Sequence, residues 1–157
     1  MSAGWDEKSE GGFMLIELIA AITILLLLAS LALPLARVQL QRSREFELRR
    51  DLRLRREAID GYKAFSDQGR IPIKVDAFGY PPDLQTLVDG VPVKGSAHAK
   101  YKFLRKIPVD PMTGRADWGV RSMQDDPASP AWGGQNVLDV YSKSRATGLD
   151  GTPYVEW

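Results

Sequence analysis

The chain has 157 residues, a net charge of +1, no cysteine and a single histidine, His98. A near-neutral chain sets up no global field for nucleic acid; without thiols, disulfides and thiolate metal sites are excluded, and one histidine cannot build a histidine metal cluster or a catalytic triad within one copy. The length suits one domain plus a membrane segment, and with no nucleophile paired to a base anywhere, no enzymatic activity is expected.

Residues 1–12 read as a short leader in which Asp6, Glu7 and Glu10 outnumber Lys8. Phe13 to Leu35 follows, 23 residues whose only charge is Glu17. As a helix this run is about 34 Å long, enough to cross a hydrocarbon core of about 30 Å. It is longer than the apolar region of a secretory signal, and its small residues, Gly11 and Gly12, precede the apolar run instead of following it. A carboxylate at bilayer depth costs about 2.5 kcal/mol or more, so Glu17 needs a counter-charge. A neighbouring copy can supply one.

The helical pattern continues beyond the apolar run to about Phe65. Pro34 removes one bond of the ladder and should kink or loosen it. Residues 36–68 are amphipathic, with Leu48, Leu52, Ile59 and Tyr62 on one face and Ala58 and Phe65 widening the stripe. Arg49, Arg50, Arg53 and Arg56 lie off it, and Glu45 to Arg49 has the spacing of a favourable pair. Interleaved charges over Arg37–Arg56 predict a solvated face, either without a partner or with ion pairs between subunits. Arg37 and Arg42 are also placed to meet anionic headgroups.

Residues 69–157 form a head that starts at Gly69, a suitable helix terminator. Pro81 to Val88 reads as a short helix closed by Gly90. Gly95 to Lys100 is a polar loop holding an exposed His98, and Pro108, Pro111 and Gly114 mark turns. Ala116 to Met123 and Asn136 to Lys143 read as strands, Asp125 to Gly134 as a loop, and Tyr154 to Trp157 as a last short strand. Asp83, Asp110 and Asp117 are expected to serve as turn or cap residues. The class is α+β: a long N-terminal helix, membrane-spanning and then amphipathic, packed on a small antiparallel sheet that needs it as cover.

Gly11–Leu18, reading GGFMLIEL, resembles the processing site of the type IV pilin superfamily, and Pro34 stands where members often carry proline. The resemblance implies cleavage by a prepilin peptidase between Gly12 and Phe13, N-methylation of Phe13, and Glu17 as the assembly residue that meets the Phe13 amine of another copy. Further on, GYPPDLQTL at Gly79–Leu87, LRKIPVDPMTG at Leu104–Gly114, DVYS at Asp139–Ser142 and the closing GLDGTPYVEW are similar to the major pseudopilin of type II secretion. In that family a loop after the Tyr-Ser strand binds calcium through several Asp. Here Asp150 is the only acid of Ser142–Tyr154, with oxygens of Ser142, Ser144 and Thr147 to help it; one carboxylate is thin for calcium, and a tight turn at Leu149-Asp150-Gly151 is the slightly better reading.

The resemblance implies a filament subunit that polymerises with itself and works with an inner-membrane secretion platform and minor pseudopilins, without nucleic acid. It implies a single pass of the inner membrane with the head in the periplasm. Eight arginines between Arg37 and Arg56 against one lysine before the span would by charge bias alone leave the head in the cytoplasm. Two alternatives stay open: a type IV pilus pilin for adhesion, motility or DNA uptake, and a membrane-anchored periplasmic module that never polymerises.

Overall fold

A computed structural model describes residues 10–95, 100–126, 129 and 131–157, with backbone alone for residues 10–13, 31 and 75. Residues 1–9 of the expected leader and His98 lie outside the described residues, as do Pro127 and Pro130 of the expected Asp125–Gly134 loop. The chain divides into two units, Met1–Gln41 and Arg42–Trp157.

Helix α1 runs from Glu10 to Asp67, a little longer at both ends than the sequence predicts, and Pro34 lies inside it without ending it. In the first unit every described side chain from Met14 to Leu40 is exposed. Thr23 Oγ1 donates to the Ile19 carbonyl and Ser30 Oγ to that of Leu27, both at 2.7 Å. The two hydroxyls of this apolar run are therefore satisfied inside the helix, as an environment without water requires. The helix is long and apolar enough to cross a membrane.

In the second unit, α1 supplies the wall of the core. Leu48, Leu52, Ala58, Ile59 and Tyr62 are buried as their spacing predicts, against Ile71, Leu87, Val91, Trp118, Val137, Val140 and Tyr154. The helix ends as its Gly69 predicts. Gly69, at φ 66°, donates to Ser66 and Arg70 donates back to Phe65, the paired bonds of a Schellman motif. Arg70 closes it by laying its guanidinium 3.9 Å from the Phe65 ring centroid. Phe65 belongs in turn to an aromatic cluster with Tyr62, Tyr101 and Phe103.

Helix α2 spans Leu84–Asp89, starting later than predicted. Pro81 and Pro82 precede it because Asp83 takes the capping position, accepting from Thr86 N at 2.7 Å and Thr86 Oγ1 at 2.8 Å. Pro81 is instead buried, and its carbonyl accepts from Val137 N at 2.8 Å. Gly90, at φ 80°, closes the helix on the Thr86 carbonyl.

Among the described residues, four strands make two separate antiparallel pairs where one sheet was expected. Strands β1 (Val91–Pro92) and β2 (Lys100–Tyr101) pair Val91 with Tyr101. Strands β3 (Gly119–Arg121) and β4 (Asp139–Tyr141) pair Gly119 with Tyr141 and Arg121 with Asp139. β1 and β2 escape a sequence reading because two residues cannot display an alternation; Lys100, expected in a loop, is in β2. The expected last strand is also corrected: Tyr154–Glu156 is a 3-10 turn. A strand would point Tyr154 and Trp157 to opposite faces. The three-residue turn stacks them on one side, ring centroids 4.9 Å apart.

Gly119 is required by close approach, since a Cβ there would stand 2.2 Å from the Tyr141 ring. Gly119→Ala should lower stability by about 1–3 kcal/mol, read from thermal unfolding of the full chain in mild detergent.

Candidate functional site

Three places gather the residues that carry chemistry. The first is the start of α1. Phe13 and Glu17 lie four residues apart within the helix and so on one face. Glu17 is exposed among Met14, Leu15, Ile16, Leu18 and Ile19, each 56–72% exposed. It has no hydrogen bond or ion pair among the described residues. Were the chain cut after Gly12, this carboxylate would sit in the first turn of the remaining helix, where an acid is favoured by the unpaired backbone N–H groups.

The second place is the C-terminal segment. Asp150 Oδ2 accepts from Arg49 Nη2 at 2.8 Å, while Oδ1 accepts from Thr152 N at 2.9 Å and Thr152 Oγ1 at 2.6 Å. The Thr152 bonds, with a smaller part from Arg49, hold the Asp150 carboxyl below its ordinary range. The Arg49 guanidinium also covers the Trp157 ring at 3.8 Å, and Trp157 Nε1 donates to Thr152 Oγ1 at 2.6 Å. Glu45 accepts from Leu149 N and from the Tyr154 hydroxyl, both at 2.9 Å. Arg56 bridges Asp139 at 2.7 Å and the Trp157 carbonyl at 2.7 Å. Part of the arginine-rich face is thus committed within the chain, as a clamp on residues 149–157.

This donor set does not fit calcium. Ser142, expected beside Asp150, is fully buried and gives its hydroxyl to Asp110 Oδ2 at 2.6 Å. Ser144 Oγ accepts from Ala146 N at 3.4 Å, and Thr147 faces Pro153 in an isolated bridge. No group of three or more acids or histidines able to hold a metal occurs among the described residues. A guanidinium on the one carboxylate repels a divalent cation, which needs six to eight oxygens.

The third place was not expected from the sequence. Arg55 is fully buried, its guanidinium 3.3 Å from the Trp118 ring centroid, with a long 3.5 Å contact from Nη2 to the Pro108 carbonyl. Its Nε and Nη1 have no hydrogen-bond partner among the described residues. Burial pushes its pKa down to about 10, against the opposing pull of Asp51 and Asp110. Asp110 is a turn residue, as predicted, accepting from Met112 N at 2.8 Å, but it is also fully buried. Trp118 Nε1 donates to Pro108 at 2.9 Å. The turn at residues 108–115 is thereby held to α1 by Arg55 and to the end of β4 by Ser142. The available signal was position: Arg55 stands three residues after Leu52 and four before Ile59, on the buried stripe. Of the other expected cap residues, Asp83 caps α2, and Asp117 pairs with Lys143 at 2.5 Å.

Comparisons with protein-family profiles, with curated proteins and with solved structures return no match.

Burial raises the Asp51 carboxyl above its ordinary range, the nearby Arg55 only partly offsetting it. A folded-state pKa above the unfolded one means that stability is lost as pH rises through it. Asp51→Asn should therefore raise the thermal midpoint at pH 7 and give no gain at about pH 3, below the unfolded carboxyl's pKa. At the clamp, Arg49→Ala should speed proteolysis of residues 147–157, while millimolar calcium or a chelator leaves the wild-type cleavage rate unchanged.

Proposed function

We propose that the chain is the structural subunit of a type II secretion pseudopilus, a helical filament that assists protein export across the outer membrane. The observation that carries this reading is a membrane-length helix whose described side chains from Met14 to Leu40 are all exposed, with a carboxylate near its start, Glu17, that has no partner among the described residues. So much apolar surface needs lipid or other helices around it, and a buried carboxylate needs a cation. The GGFMLIEL motif adds a source for that cation: cleavage between Gly12 and Phe13 frees an amine one helical turn from Glu17. The α+β fold, a long apolar N-terminal helix with small antiparallel sheets, is consistent with a pilin-like subunit.

In this reading the processed chain rests in the inner membrane with its head in the periplasm. Assembly brings Glu17 of one copy to the Phe13 amine of another, and the low dielectric strengthens the attraction while penalising any register that leaves either charge alone. The pair thus sets the axial position of each incoming subunit. Contacts that repeat without closing generate a fibre, and its growth displaces cargo outward.

Glu17→Leu should leave the protein cleaved and membrane-inserted but abolish filaments and export. The check is electron microscopy of sheared cells together with membrane fractionation. Normal filaments from that variant would remove the basis of the proposal.

A further inference from the structure

The face of α1 turned away from the core carries a second pattern. Arg42, Phe46, Arg50, Arg53, Glu57 and Asp60 follow one another at spacings of four, four, three, four and three residues, one stripe of a helix. All six are exposed, Phe46 to 75%. None of the five charged members has a hydrogen bond or ion pair among the described residues, although Arg50 lies near enough to Asp51 to lower its pKa. The stripe changes sign along its length, from basic with one phenylalanine at Arg42–Arg53 to acidic at Glu57–Asp60. Beside it runs a groove of about 540 Å³, lined among others by Leu52, Arg53, Glu57 and Trp157.

The geometry points to this stripe as the surface on which a second copy of the chain docks, shifted by two helical turns. Arg50 and Arg53 are three residues apart, and so are Glu57 and Asp60. A shift of seven residues, about 10 Å along the axis, brings Arg50 level with Glu57 and Arg53 level with Asp60. The same shift sets Phe46 beside Arg53, where the groove is bordered by the partly exposed Trp157 ring.

Charge complementarity singles out another copy as the occupant, because one stripe holds both halves of the match. It also fixes the direction. Copies inserted with one topology in one membrane leave it in the same chain direction, so an antiparallel pairing without a shift is barred. With every stripe turned toward the axis of a helical bundle, each acidic half meets the basic half of the next copy, and the array does not close. Exposed ion pairs are individually weak and screened by salt. The stripe therefore selects register and neighbour, leaving adhesion to the apolar segment. This inference rests on the filament reading and assigns its intersubunit surface outside the membrane.

The test uses the full processed chain in its membrane, with filaments counted by microscopy. The chain has no cysteine, so Arg53→Cys copies co-expressed with Asp60→Cys copies report one contact. Within a single helix those positions are about 10 Å apart, beyond the reach of a disulfide. The expected result is a mixed disulfide dimer that neither variant gives alone. Glu57→Arg with Asp60→Arg should weaken low-salt association about tenfold, and adding Arg50→Glu and Arg53→Glu to the same chain should restore it. Normal filaments without the mixed disulfide, or association indifferent to the charge reversal, would overturn this surface while leaving the filament reading intact. A wild-type chain that never associates would overturn both.

Discussion

The burial of one stripe of α1 is the constraint from which the rest of residues 42–157 follows. Leu48, Leu52, Ile59 and Tyr62 are each no more than 7% exposed. The strands they cover are two or three residues long, far too short to persist alone. Loops held by aromatic contacts and single hydrogen bonds fill the space between those strands, so each depends on the helix as a fixed wall. Arg55 shows how strict that wall is. A guanidinium occupies a core position because its flat face packs on Trp118 as an apolar ring would, while its charge sits between Asp51 and Asp110.

The same helix changes character along its length. From Met14 to Leu40 its described side chains are exposed, and most are apolar; from Arg42 onward the apolar residues narrow to a stripe and charge fills the remaining circumference. Those charges divide by use. Glu45, Arg49 and Arg56 reach the C-terminal segment and hold it down. Arg42, Arg50 and Arg53 make no such bonds. In the last loop, Arg49 and Thr152 together hold the Asp150 carboxylate.

What the residues foretold and what they hid follow a physical line. Signals carried by one residue's own backbone preference were readable: Gly69 at the helix end and Asp83 at a helix start, though Asp83 moved that start past both prolines. The α1 stripe was readable because it repeats over several turns. Two-residue strands carry no repeat, and β1 and β2 were hidden. Tyr154–Trp157 has the composition of a strand, but the aromatic stack and the Glu45 bond favour a tight turn. Arg55 was hidden because residue type suggested solvent while position indicated the core. Asp150 was linked to calcium by resemblance; among the described residues its carboxylate accepts from the neighbouring Thr152 and from Arg49, which is 101 positions away in sequence and so not legible there.

We propose that copies of this chain associate within a membrane because Glu17 finds its counter-charge in a neighbour. Energy transfer between donor- and acceptor-labelled copies of the processed chain, reconstituted into lipid vesicles at increasing dilution, tests it most directly. Transfer that persists on dilution for the wild type and falls to the level of random mixing for Glu17→Leu is the predicted result. Transfer at the random level for both would mean that Glu17 does not drive association.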